Sequence, residues 1–333
     1  MTRTREIRLA ARPNGWPTAD DFDMAEVELA DPGPGQVLVR NSVMSVDPYM
    51  RGRMNDVPSY VPAYQLSEPL DGGAVGQVTE SQSADVPVGS WVLHGLGWRE
   101  HAVVAADRVR VVDTEAAPDT AYLSVLGMTG MTAYTGLVAI ASIREGDIVF
   151  VSGAAGAVGS TAVQMARLLG ASRVIGSAGS AEKVNWVRDD LGADAAFDHH
   201  AGNAADLLAE AAPKGVDVYF DNVGGAQLEA AIGALRRDGR IALCGAISGY
   251  NATSAPPGPR NLALLIGKRG RLQGFIVSDH EQLRERFTAD VTRWLTQGRV
   301  VSRETIVHGL DHAVDGFIGL LRGDNIGKMV IRL

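Results

Sequence analysis

Glycines at 153, 156 and 159 stand where an apolar, β-branched run gives way to a helical period, in IVFVSGAAGAVGSTAVQMARLL (148–169). That arrangement has a chemical use. One glycine makes the tight turn, one lets the backbone approach a pyrophosphate, and one lets helix pack on strand. The N–H groups of the first helical turn then face the phosphates, so Gly156, Ala157, Val158 and Gly159 are candidate cofactor-binding residues. The alternative is a structural glycine turn in another α/β protein; the strand before and the helix after favour a dinucleotide. Other chemistries lack their residues. A catalytic zinc needs Cys and His ligands and a structural zinc needs a Cys cluster, but Cys244 is the single cysteine. The seven histidines show no metal-ligand spacing, and adjacent His199 and His200 are expected to point in different directions. No tyrosine has a lysine four residues on, so the Tyr-x-x-x-Lys pair of short-chain dehydrogenases is missing.

Such a site needs a parallel sheet with crossover helices to position it. From 148 onward the chain reads that way, with strands expected at 173–176, 195–197, 216–220, 240–243 and 272–277. Ser180 can cap a helix whose inner face holds Val184, Val187 and Leu191. The helix before the 240–243 strand is expected to end in Arg236 and Arg237, cations suited to its dipole. A further helix is expected over 281–297. Upstream, the style is all-β: QVLVRNSVMSV (36–46), GGAVGQVTES (72–81) and SWVLHGLGWREHAVV (90–104), with turns at Pro87, Gly89, Gly95 and Gly97. A helical stretch over 121–140 leads into the central strand, and the final MVIRL is β-like again. The fold class is therefore α/β, a parallel sheet inserted into a β-rich, barrel-like domain. Residues 1–122 and 303–333 form the β-rich substrate domain and 123–302 the dinucleotide-binding one.

Composition narrows the partners. With 333 residues the chain can bury two cores, and 46% hydrophobic with 21% charged residues is ordinary for a globular protein. A net charge of -8 argues against nucleic acid or an anionic membrane as the main partner. The first residues lack the apolar core of a signal peptide, no apolar run is long enough to span a bilayer, and one cysteine fits a reducing compartment. A cytoplasmic location is expected.

Seven short motifs then occur in order: VDPYMRGRM (46–54), GMTGMTAYTGL (127–137), DVYFDNVGG (217–225), CGAISGYN (244–251), PPGP (256–259), LQGFIV (272–277) and GDNIGK (323–328). Over essentially its whole length the chain resembles the medium-chain dehydrogenase/reductase superfamily. The motifs look like its zinc-independent branch of prostaglandin reductases, plant double-bond reductases and bacterial curcumin reductases, with MRGRM and YNAT nearest the curcumin reductase type. The resemblance implies a Rossmann domain inserted into a GroES-like barrel, and a homodimer. It also implies NADPH-dependent saturation of the carbon–carbon double bond of small enones and enals, without metal.

That chemistry delivers hydride to the β-carbon, leaving an enolate oxygen that needs a hydrogen-bond donor and an α-carbon that needs a proton. Tyr250 lies just beyond the 240–243 strand, at the carboxyl edge where ligands sit in open α/β sheets. It is the leading catalytic candidate, and its alternative is a loop tyrosine packed on the cofactor. Tyr49, the tyrosine of VDPYM, is the second, and Tyr49 and Tyr60 are candidate substrate-shaping residues. Lys183 matches the family lysine that pairs with the 2′-phosphate, and the strand tip GSAGS (176–180) lacks the acid of an NAD site. His199 stands where relatives often carry a tyrosine for that phosphate, and Asp198 beside it adds negative charge. The branch further implies cofactor contacts at Asn222, Cys244, Gly245, Ala246, Ile247, Ser248, Phe275, Ile276, Val277 and Asn325. Asn325 has the alternative of a turn asparagine. Two other functions compete: a quinone reductase of the same superfamily, and an NADPH-binding protein without catalysis.

Overall fold

The computed structural model describes all 333 residues, Met1–Leu333. They form two compact units, Met1–Leu123 with Glu304–Leu333, and Ser124–Arg303. The first unit begins with an antiparallel ribbon of β1 (Thr2–Leu9) and β2 (Phe22–Leu29). β3 (Gln36–Ser45) is followed at once by the short helix α1 (Tyr49–Arg53). β4 (Ala74–Ser81), β5 (Trp91–His94), β6 (His101–Ala105) and β7 (Arg110–Val111) complete this part, with β4 and β6 both antiparallel to β3. The stretch expected as strand-like over 90–104 is thus two strands. Gly97 sits in the turn between them, so near the Gly72 carbonyl that a Cβ would lie 3.0 Å from it.

α2 (Met128–Thr135) opens the second unit and widens into a π turn over Gly136–Ile140. It starts later than expected because Gly127 is extended, φ −99° and ψ −157°, and separates it from a 3-10 turn at Asp119–Leu123. Strands and helices then alternate: β8 (Ile148–Val151), α3 (Ala157–Leu168), β9 (Arg173–Ala178), α4 (Ala181–Asn185), β10 (Ala195–Asp198) and α5 (Ala204–Ala211). β11 (Val216–Asp221), α6 (Gly225–Ala234), β12 (Leu235–Leu243), α7 (Leu264–Lys268), β13 (Arg271–Gly274) and α8 (Arg284–Thr296) follow. The sheet is all parallel, in the order β10-β9-β8-β11-β12-β13. β8 is buried at every residue, as a strand covered on both faces must be. Its Phe150 is sandwiched by Tyr219 at 4.9 Å and Phe197 at 5.7 Å.

Three local expectations fail for tertiary reasons. Arg236 and Arg237 do not end a helix: α6 stops at Ala234, and both arginines lie in β12, where Arg236 pairs with Asp217 at 2.9 Å. Leu235 lies in register with Val216, and pairing with β11 outweighs helix preference. β13 ends at Gly274, which leaves Phe275, Ile276 and Val277 beyond the strand. α8 begins at Arg284 because His280 breaks the helical path, with φ −121° and ψ 32°.

The chain returns to the first unit with β14 (Glu304–His308), α9 (Ala313–Arg322) and β15 (Lys328–Arg332), and β15 pairs antiparallel with β3. Phe317 of α9 meets Trp98 edge-on at 5.9 Å, and Trp98 stacks on Phe22 at 6.3 Å. No helix is long and apolar enough to cross a membrane.

One buried ion pair joins the start and end of this unit. Lys328 Nζ donates to Asp47 Oδ1 at 2.8 Å and to the Val46 carbonyl at 2.7 Å, while Ser45 Oγ donates to Asp47 Oδ2. The two side chains are only 2% and 6% exposed. Removing one partner strands the other charge, so Lys328→Met should cost about 3–5 kcal/mol in chemical denaturation. The double variant Lys328→Met/Asp47→Leu should recover part of it. A loss below about 1 kcal/mol, the scale of an exposed pair, would show that the clamp does not hold the two motifs together.

Candidate active site

The glycine turn begins at the carboxyl end of β8. Gly153 is left-handed, φ 58°, and Gly156 is the extended residue before α3. A Cβ on Gly159 would lie 2.2 Å from the Gly153 carbonyl oxygen, so α3 sits against the turn at a distance only glycine permits. The first bond of the helical ladder runs from Ser160 N–H to the Gly156 carbonyl at 2.9 Å. The N–H groups of Ala157, Val158 and Gly159 precede it and have no intrahelical partner. They and the helix dipole make a place for an anion.

Beside this turn lies the buried carboxylate of Asp221, at the end of β11. Its Oδ1 accepts from Tyr219 Oη (2.7 Å), Gly224 N (2.8 Å), Val223 N (2.9 Å) and Ser152 Oγ (3.2 Å). Burial is the main influence on the group and pushes its pKa up, against the pull of those donors. The backbone carbonyl of Asp221 accepts from Cys244 N and Gly245 N, just past β12. Asn222 completes the tie: its N–H donates to Ser152 Oγ and its Nδ2 to the Ser152 carbonyl at 2.7 Å.

The segment after β12 is fastened to the same place. Ile247 N donates to the Asn222 carbonyl, and both Ser248 N and Ser248 Oγ donate to the Val223 carbonyl. Tyr250 closes a single 3-10 turn, Ile247–Gly249, and its hydroxyl oxygen accepts from Ala246 N at 3.3 Å. Gly156, Asn222, Cys244 to Ser248 and Tyr250 therefore gather at the carboxyl ends of β8, β11 and β12. Cys244 lies just past β12. Burial, and secondarily the charge of Asp221, push its thiol up to about 12, so it stays protonated. Phe275 packs at Gly136, where a Cβ would lie 3.0 Å from its ring and 2.4 Å from that of Phe220; Ile276 and Val277 are half-buried beside it.

A second cluster surrounds the tip of β9. Ser180 caps α4 by accepting from Lys183 N, which places Lys183 one turn along. His199 and His200 do not diverge as expected. Their rings lie 4.1 Å apart, with His199 Nδ1 on the Ala178 carbonyl (2.7 Å) and His200 Nδ1 on the Gly179 carbonyl (3.2 Å). The backbone carbonyls of β9 and its turn draw both rings to one side. With Asp198 they also bring three donor atoms within 4.8 Å, a grouping the spacing alone did not suggest.

Tyr49, Tyr60 and Asn325 belong to the first unit. Tyr49 starts α1 and packs against that unit's core; burial first, then the charge of Asp47, pushes its phenol well above the usual range. Tyr60 is exposed. Asn325 is buried, and its Nδ2 braces the GDNIGK turn by donating to the Gly327 carbonyl at 2.7 Å. The arginines of MRGRM hold loops. Arg51 donates to the carbonyls of Gly15 and Pro13, and Arg53 donates to the Pro62 carbonyl, pairs with Asp71 and stacks over Tyr64.

Residues 5–112 match a protein-family model described as the N-terminal domain of oxidoreductase, and residues 157–296 match one described as zinc-binding dehydrogenase. The chain is 44% identical to the NADPH-dependent curcumin reductase of Escherichia coli strain K12, over 99% of this chain and 97% of that protein. It is 37% identical to the NADP(+)-dependent 2-alkenal reductase of Nicotiana tabacum, over 98% and 96%. The crystal structure of CurA from Vibrio vulnificus in complex with NADPH superposes with a TM-score of 0.94 at 43% identity, covering 98% of each chain. The residues do not fit a dehydrogenase zinc. The single cysteine is a thiol that burial keeps protonated beside Asp221, so the Cys ligands of a catalytic and a structural dehydrogenase zinc are missing.

The close approach at Gly159 is directly testable. Gly159→Ala should push α3 off the turn and weaken dinucleotide binding by about tenfold or more, the loss of one charge-assisted hydrogen bond. Fluorescence titration would measure it, with circular dichroism to show that the chain still folds. A folded variant that binds as tightly as the parent would remove the α3 N-terminus from the site.

Proposed function

Because the chain belongs to the medium-chain dehydrogenase/reductase superfamily, in its branch of NADPH-dependent double-bond reductases, we propose that it saturates the α,β double bond of small unsaturated ketones and aldehydes without metal. The observation that carries the reading is what gathers at the ends of β8, β11 and β12: backbone amides and one phenol, with no metal-binding donor set. The dinucleotide fits this chain's own features. Gly159 lets α3 present its free amides to a pyrophosphate, and the chain that closes β9, GSAGS (176–180), carries no acid of the kind that binds an NAD ribose, although Asp198 of β10 lies beside it. NADPH, when bound, supplies hydride for the β-carbon of the conjugated carbonyl.

The protein's part is binding, orientation and charge stabilisation. The first-turn amides of α3 hold the pyrophosphate, and Asn222 with Cys244 to Ser248 form the wall beside it. Lys183, from α4, pairs with the 2′-phosphate. Tyr250 is the donor to the enolate oxygen, its phenol oriented by the Ala246 N–H. In the first unit, Tyr49, held protonated by its surroundings, and Tyr60 are the substrate-shaping candidates, and Asn325 fixes the GDNIGK turn. The α-carbon takes a proton that exchanges with solvent.

With a simple enone and NADPH the main product should be the saturated ketone; an allylic alcohol as the main product would overturn the reading. Tyr250→Phe keeps the ring but removes the donor, and should cost around 3 kcal/mol, about a hundredfold in kcat. Coenzyme affinity should barely change, because the charge develops only in the transition state. Wild-type turnover in that variant, with the chemical step rate-limiting, would take the role from Tyr250. Lys183→Ala should weaken NADPH by about 1–3 kcal/mol and NADH far less. Equal losses would make Lys183 structural.

A further inference from the structure

The adjacent histidines are arranged more specifically than the 2′-phosphate reading requires. Asp198 is in register with Ala178, so the chain after β10 runs beside the turn after β9. His199 N and Nδ1 both meet the Ala178 carbonyl, at 3.0 and 2.7 Å, and His200 Nδ1 meets the Gly179 carbonyl at 3.2 Å. A carbonyl oxygen can only accept, so Nδ1 of each ring carries the hydrogen, which leaves Nε2 of His199 as the nitrogen that gains or loses a proton. A Cβ on Gly179 would lie 3.1 Å from His199 Cε1 and 3.3 Å from His200 Cε1. The Cε1 edges of both rings thus lean over the turn that leads to Ser180 and Lys183.

We infer that His199 and His200 form a protonation-dependent anchor for the 2′-phosphate, so that discrimination between NADPH and NADH sharpens as pH falls. The inference rests on the NADPH reading above and adds to it a pH dependence particular to this chain. A tyrosine at 199 would donate at every physiological pH; an imidazole donates from Nε2 only when charged. In the free protein His199 is held below its usual proton affinity, by burial first and then by His200, with Lys183 of α4 adding to this. The Ala178 carbonyl and Asp198 of β10 oppose the shift. A phosphate dianion among these groups favours the charged ring, so binding NADPH takes up a proton that binding NADH does not.

The sign separates protein from ligand. The 2′-phosphate's own protonation, near pH 6, removes charge and weakens binding as pH falls, so a rise in affinity must come from the protein. Dissociation constants for NADPH and NADH, measured by equilibrium titration, should show NADPH tightening roughly fivefold from about pH 8 to about pH 6.5 while NADH stays flat. The double variant His199→Gln/His200→Gln should lose the slope, and His199→Tyr should bind NADPH with a flattened profile. Nuclear magnetic resonance of the ring protons should show 2′,5′-ADP, and not 5′-ADP, raising the pKa of His199. A clear NADPH preference with no pH slope, or a slope that survives in the double variant, would overturn the inference alone. Equal binding of NADPH and NADH at both pH values would overturn the coenzyme reading beneath it.

Discussion

A single buried residue, Asp221, gathers the ends of three strands through its Oδ1 and its backbone carbonyl. Oδ1 takes four hydrogen bonds, from Tyr219, Ser152, Val223 and Gly224, while the same residue's carbonyl takes the amides of Cys244 and Gly245. Burying a carboxylate is costly unless its bonds are made; Oδ1 is fully met while Oδ2 has no hydrogen-bond partner, and the donors come from the candidate cofactor-binding segments. Ser152 precedes the glycine turn, Val223 and Gly224 lead into α6, and Cys244 and Gly245 lead to Tyr250. The glycine turn, the Asn222 wall and the Tyr250 loop are therefore one hydrogen-bonded unit. A change in any of the three is felt by the other two.

Reduction without a metal places particular demands on such a unit. In the reduction proposed above no Lewis acid polarises the carbonyl, so oriented donors would have to meet the charge that develops on it. The donor proposed for it is Tyr250, a phenol whose oxygen is held by the Ala246 amide. A thiol pushed up to about 12 does not compete as a nucleophile or ligand. In the other unit, Lys328 and Asp47 clamp the GDNIGK and VDPYM motifs together, which fixes where α1 and Tyr49 begin. Both buried charges do the same work: they hold loops that carry function to a rigid sheet.

Much of the fold was legible in the sequence because its signals are local. The buried β8, the glycine spacing and the alternation of strands and helices are short-range patterns, and β15 returning to β3 follows from a β-like ending. The misses depend on partners distant in sequence. Arg236 and Arg237 read as a helix end until Leu235 is seen paired with Val216. His199 and His200 read as divergent until the β9 carbonyls are placed beside them. Asp221 stood inside a quoted motif, yet only its neighbour Asn222 was singled out; an acid closing the apolar strand VDVYFD was the available signal. Arg51 and Arg53 offered none, since the carbonyls they hold, Gly15, Pro13 and Pro62, become neighbours only in the fold.

The most direct measurement follows the hydrogen itself. An enone would be reduced with NADPH carrying deuterium at nicotinamide C4, on each face in turn, and the product analysed by nuclear magnetic resonance. Deuterium from one face should appear at the β-carbon of a saturated ketone, and solvent deuterium, in a parallel reaction in heavy water, at the α-carbon. Deuterium on a carbinol carbon would mean that the carbonyl is reduced, and would contradict metal-free reduction of the double bond.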